Sequence, residues 1–269
     1  MGCGQLGTQL GRRLVADGVE VLAMRRTSAA LPAGFTGIVD DIRVARRRAL
    51  PACESVVITL PPDADADAEA EARGAGDIYA SALTNLAEAL PARPSRVVFV
   101  SSTRVLEGRA GAVPLTESDA AAPIGPRARA LLEGEALAVE LFDAVTVRPA
   151  GIYGPGRDSL IRRVREHVPV DYSRRTNRIH EEDLVGLLHA MLRAQDPPTL
   201  IHAVDAEPAP LGEVVTFIAD LLEVETPPRL APETGGGTVL DGRLLLDFAG
   251  SLRFPSFREG YAQMLRESA

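Results

Sequence analysis

Residues 2–7 read Gly-Cys-Gly-Gln-Leu-Gly and run straight into an amphipathic stretch; this constrains the fold more than anything else in the chain. Gly2 permits a tight turn, Gly4 lets backbone approach a pyrophosphate, and Gly7 lets the new helix lie close to a strand. Gln5 and Leu6 open that helix, whose N–H groups and partial positive charge suit phosphate oxygens. Leu6, Leu10 and Leu14 form one stripe, and Gly18 follows as a C-cap. Val19–Met24 then reads as a strand. Helix followed by strand is βαβ spacing, so a doubly wound parallel sheet is expected. Such a motif normally follows a strand, and only Met1 precedes Gly2. Either the true start lies upstream or the strand is lacking, and the flanking strands at Val19 and Ser55 are then expected not to pair directly.

Later segments continue the alternation. Arg25 and Arg26 stand where an acidic residue would read a ribose 2′-hydroxyl; arginine there suits a 2′-phosphate, or is simply solvated. Gly37–Asp41 reads as a short strand ending in acids, with Asp41 meeting an adenine amino group or capping the next helix. Ser55–Leu60 is a strand stopped by Pro61, so Thr59, Leu60 and Pro61 are expected along a bound nucleotide, outside the carboxyl end. Residues 63–73 read as a solvated acidic segment, and 78–90 as a helix with Leu83, Leu86 and Leu90 on one side. Arg96–Val100 is an apolar run of the kind that parallel strands buried on both faces require.

Composition excludes several classes. A net charge of −8 and a pI near 5.2 argue against nucleic acid as a partner. No run of 18 apolar residues is present, so no membrane span is expected. Two cysteines make no disulfide framework, which points to a reducing, cytoplasmic setting. The four histidines show no metal-ligand spacing.

The strand at 96–100 ends in Ser101-Ser102-Thr103-Arg104-Val105-Leu106-Glu107-Gly108, and here the chain resembles the short-chain dehydrogenase/reductase superfamily, extended or atypical branch (NAD-dependent epimerase/dehydratase-like). The family's S-S-x-x-V-Y-G is matched at Ser101, Ser102 and Val105. The resemblance places Ser102 at the catalytic Ser/Thr position and Ser101 beside the cofactor. Val145–Arg157 resembles the R-P-x-x-x-Y-G-P-G loop, which implies that Pro149 and Tyr153 stand near a nicotinamide. Asn177–Leu184 and Phe254–Gly260 resemble further family segments. The resemblance implies NADP or NAD as cofactor, a polar small-molecule substrate and an oxidoreductase or epimerase-like activity.

One family element is missing. The superfamily uses Tyr-x-x-x-Lys on one helix face, the lysine and the cofactor depressing the tyrosine so that it can move a proton. Anchored on Glu135, the matching segment places Arg127 at the tyrosine and Leu131 at the lysine, and residues 109–152 contain neither Tyr nor Lys. Tyr153 and His180 are the candidate substitute acids; Ser102 with Arg127 could instead polarise a carbonyl; or the protein binds nucleotide without turning it over. The organisation expected is a Rossmann domain over 1–153, with 179–205 returning to it, and a smaller C-terminal substrate lobe from 154–178 and 206–269. The arginines of 157–178 could hold an anionic substrate or stand in solvent. A homodimer is open, and Gly235–Gly237 reads as a loop tip.

Overall fold

The computed structural model describes residues 1–44, 49–60 and 77–267. Pro61 and the acidic segment 63–73 lie outside the described residues. The chain divides into two compact units. The first comprises Met1–Val105, Ala121–Arg148 and Val185–Ile201; the second comprises Leu106–Ala120, Pro149–Leu184 and His202–Ala269.

The first unit starts with helix α1 (Gln5–Ala16). Its end is a Schellman closure: Gly18 adopts φ +79° and donates to the Val15 carbonyl, and Val19 N–H donates to the Leu14 carbonyl. Strand β1 (Val21–Arg25) pairs in parallel with β2 (Phe35–Val39), Met24 opposite Ile38. A four-stranded sheet is built from β3 (Ser55–Ile58), β4 (Arg96–Val100), β5 (Val145–Pro149) and β6 (Leu200–Ala203), in the order β6-β5-β4-β3. Every residue of β5, and all of β4 but Arg96, is buried, as strands covered on both faces demand.

As expected, β1 and β3 do not pair with each other. Met1–Cys3 lies between them: the Met1 amine donates to the Val57 carbonyl at 2.6 Å, Thr59 N–H donates to Met1 O at 2.9 Å, and Cys3 N–H donates to Met24 O at 2.9 Å. Three residues without strand geometry thus join the two pieces of sheet.

Helices α2 (Asp77–Ala89) and α3 (Pro126–Phe142) pack on each other. Gly134 permits this, because a Cβ there would press within 3.0–3.1 Å of the Tyr79 and Phe99 rings. The close helix-on-strand approach expected of Gly7 belongs elsewhere. A Cβ on Gly7 would find its nearest atom, Cys3 Sγ, at an ordinary 3.5 Å, whereas one on Gly11 would run into the Phe35 ring. One helical turn separates the two, and the bulky partner faces the second.

In the second unit the short strands Gly151–Tyr153 and Arg178–His180 pair in parallel. Its core gathers Ile161, Val164, Val214, Ile218, Phe257 and Tyr261. The triple glycine is no loose tip. Buried Asp171 accepts from Ser173 Oγ (2.7 Å), Thr234 N–H (3.0 Å) and Thr234 Oγ1 (2.5 Å), bonds that depress its carboxyl to about 2, those from Thr234 most. Arg175 N–H donates to Gly236 O at 2.8 Å, and Gly237, at φ +88°, lies against the Arg175 carbonyl where no side chain fits. Among the described residues no helix is long and apolar enough to cross a membrane.

Candidate functional site

The glycine loop forms one wall of a cavity of about 680 Å³ in the first unit. Gly2, at φ +78°, brings the chain against β3: a Cβ there would sit 2.7 Å from the Thr59 carbonyl. The Thr59 hydroxyl shares its one proton between Gly2 O (2.8 Å) and Met1 O (3.1 Å), which braces the turn. Over Gly4 the space is open, since a Cβ would meet only Gly2 O at 3.9 Å. Gln5 and Leu6 follow at the start of α1, whose N-terminus carries no side-chain cap and no acid in its first turn. That end presents partial positive charge to the cavity. Leu60 lines the cavity beside Gly2.

Basic groups line the cavity as well: Arg12 on α1, and Arg25, Arg26 and Arg43. Arg25 Nη2 donates to Thr8 Oγ1 at 2.8 Å, and its Nε is closed off from solvent with no hydrogen-bond partner. Asp41 also lines the cavity. Arg43 holds it through two guanidinium nitrogens, the shorter bond at 2.6 Å, and through its N–H at 3.1 Å, so the carboxyl lies below its ordinary range.

At the end of β4, Ser101 and Ser102 do different things. Ser101 is buried and donates to Glu135 Oε1 at 2.5 Å. Glu135 also takes a two-pronged bond from Arg148, Nε at 2.9 Å and Nη2 at 2.7 Å. This pair, 6% and 9% exposed, ties α3 to β5. Ser101 is therefore engaged in structure, which the sequence pattern did not disclose. Ser102 is half-buried; its oxygen accepts Arg104 N–H at 3.2 Å and caps a short turn over Thr103–Leu106, which leaves its own proton available to donate. Arg127 sits half-buried in the first turn of α3, and Leu131 is 2% exposed in the core. Leu131 is thus a packing residue and offers no surface to a ligand. The full sequence contains no lysine, so none from another segment can take the missing place.

The second unit brings Tyr153 and His180 together, ring centroids 5.1 Å apart, in surroundings unsuited to proton transfer. Tyr153 is 3% exposed, stacks on Tyr261 at 4.7 Å and donates its hydroxyl to Ser256 O at 3.2 Å. Burial, then the nearby charge of Asp205, pushes its phenol far above the ordinary range. Its placement gives no support to the role of substitute acid, because the proton is committed to a backbone carbonyl in the core. His180 is 1% exposed, accepts Glu182 N–H on Nδ1 at 3.2 Å, and packs on Phe254. Burial and the Arg253 charge depress it to about 4, not the 6–7 expected of a working histidine. Pro149, the last residue of β5, opens the Pro149–Leu184 segment of this unit.

The arginines of 157–178 do not form one cluster. Arg157 lies 3.5 Å from buried Glu181, Arg163 donates to Pro169 O, Arg175 to Gly235 O, and Arg178 to Thr176 Oγ1. Sequence reasoning missed Asp205 altogether. It is 1% exposed, Oδ1 accepts Glu207 N–H at 3.3 Å, and Oδ2 is buried without a partner. Burial raises its carboxyl to about 7. A single aspartate past a strand gives no sequence signal of this.

A glycine loop at a helix N-terminus, outside a parallel sheet, defines a Rossmann-type protein of the short-chain dehydrogenase/reductase kind. Residues 2–176 match the model of the RmlD substrate binding domain, and the chain belongs to that family. A comparison with curated proteins finds no match. Among solved structures, the chain is similar to a Methylobacillus flagellatus protein described as an NAD-dependent epimerase/dehydratase, with 28% identity, a TM-score of 0.77, and coverage of 99% of this chain and 96% of that one. It also shares its fold with a human epimerase family protein solved with NADPH (18% identity, TM-score 0.80, 98% and 97% covered) and with the UDP-glucose 4-epimerase of Thermotoga maritima solved with UDP-glucose (16%, 0.77, 99% and 97%).

Proposed function

We propose that this protein binds NADP(H), or NAD(H), in the cavity behind the glycine loop and acts as an atypical oxidoreductase or epimerase-like enzyme on a polar small molecule. The observation that carries the reading is the cavity itself. Open space over Gly4, an uncapped helix start at Gln5–Gly7 and the Thr59-braced turn suit a pyrophosphate. Arg25 and Arg26 on the adjoining wall suit a 2′-phosphate, and Leu60 offers apolar contact. A nicotinamide nucleotide held there would supply hydride transfer. Ser102 would donate its proton to a substrate oxygen, and the Arg127 guanidinium would bind an anionic group or polarise a carbonyl. The NADPH found with the human protein and the UDP-glucose found with the Thermotoga enzyme support a nucleotide cofactor and a sugar-nucleotide-like substrate.

A second reading has its own support. Leu131 is core, Tyr153 is locked, and the chain has no lysine, which favours a protein that binds the nucleotide without turning it over. The two readings separate in one experiment. The chain has no tryptophan, so the emission of added NADPH or NADH can be followed against a dark protein background. Saturable enhancement with either nucleotide supports the site, and none with either rejects it. Hydride turnover across a panel of sugar nucleotides then supports the enzyme, whereas binding with no turnover favours the silent reading.

A further inference from the structure

Thr8 has no part in the glycine pattern, yet it stands where three elements of the cavity meet. Its hydroxyl donates to Gly4 O at 2.7 Å, which ties it to the loop. The same oxygen accepts from Arg25 Nη2 at 2.8 Å, which ties it to the end of β1. Cys3 Sγ lies 3.8 Å away on the third side. A hydroxyl has one proton and two lone pairs, so both bonds form at once without conflict. Arginine loses much rotamer freedom when held. Here that loss is already met in the free protein, on the wall the cavity presents. Arg25 Nε, meanwhile, is shut off from solvent and without a partner. A guanidinium braced at Nη2 on a wall of the cavity is placed to receive an anion there.

We infer that Thr8 is a positioning residue that selects NADPH over NADH, by holding Arg25 in the orientation that receives the 2′-phosphate. This rests on the nucleotide reading above. Valine is close to threonine in shape but lacks the hydroxyl, so Thr8→Val releases Arg25 and keeps the volume. With Arg25 free, each binding event must order it again, and a rotamer-rich side chain immobilised on binding weakens affinity by about threefold to tenfold. NADH has no 2′-phosphate and makes no use of Arg25, so its affinity is expected to stay within about twofold. Serine keeps both hydrogen bonds, and Thr8→Ser is expected to retain the wild-type ratio of affinities.

The experiment is a fluorescence titration of NADPH and NADH on the wild type, Thr8→Val, Thr8→Ser and Arg25→Ala. The expected result is a wild-type preference for NADPH, reduced about threefold to tenfold in Thr8→Val, reduced at least as far in Arg25→Ala, and kept in Thr8→Ser. Equal weakening of both nucleotides in Thr8→Val overturns the inference and leaves Thr8 a loop brace. An unchanged ratio in Thr8→Val overturns it as well, as does a wild type that binds both nucleotides alike. A wild type that binds neither rejects the nucleotide site itself, a distinct outcome. Circular dichroism of each variant checks that the fold is retained; should Thr8→Val fail to fold, Thr8→Ala read against Thr8→Ser decides.

Discussion

Replacing Asp205 with Asn is expected to stabilise the protein at alkaline pH, although it removes a charge close to an arginine. Asp205 is 1% exposed, with a single 3.3 Å bond from Glu207 N–H and a second oxygen that no group satisfies. Burial is the main reason its carboxyl rises from 3.8 to about 7; the Glu207 N–H and the Arg178 charge offset it only in part. In the unfolded chain the group ionises near its ordinary value, so between about pH 4 and 7 the folded state holds a proton that the unfolded state has lost. Stability from this group is therefore complete below about pH 4, falls as pH rises to 7, and is flat above. One pH unit corresponds to about 1.4 kcal/mol, so 3.8 to 7 corresponds to at most about 4 kcal/mol. Asparagine cannot ionise and keeps an oxygen for Glu207. Urea unfolding of both proteins from pH 4.5 to 8.5, followed by circular dichroism, gives the difference in stability at each pH. That difference should move towards the variant by roughly 1 kcal/mol or more per pH unit up to pH 7 and then level off. A constant offset from the amide shifts every point alike, so the slope is the test. Parallel curves would refute the argument and show that the folded protein carries Asp205 ionised throughout.

Three further outcomes are expected. Glu135→Gln breaks a buried pair with Arg148 and should cost about 3 kcal/mol or more in urea unfolding, because an arginine 5% exposed loses its counter-charge. Gly237→Ala should lower stability by about 2 kcal/mol from its positive φ and its contact with the Arg175 carbonyl, whereas Gly236→Ala, with 3.5 Å to its nearest atom, should be near neutral by the same measurement. Tyr153→Phe removes a buried bond to Ser256 O and should cost about 1 kcal/mol of stability while leaving any hydride turnover unchanged; a large fall in kcat would restore Tyr153 as an acid.

What the sequence determined by itself is local. The helix after Gly4, its Gly18 stop, the apolar strands and the parallel sheet follow from backbone freedom and from the periods of 3.6 and 2, which depend on neighbouring residues. The glycine loop, Arg25 and Leu60 were legible as cavity residues for the same reason: they fall at the ends of elements whose order the pattern sets. What the tertiary structure alone decided depends on through-space distance and on exclusion of water. Ser101, Glu135 and Arg148 are 34 and 13 residues apart in the chain and share one carboxylate. Tyr153 and His180 matched a family pattern, yet burial raised one and lowered the other, which the pattern could not show. Asp205 carried no pattern at all; burial raises its carboxyl, and no donor meets its second oxygen, which belongs to the packed interior and to no segment of the chain.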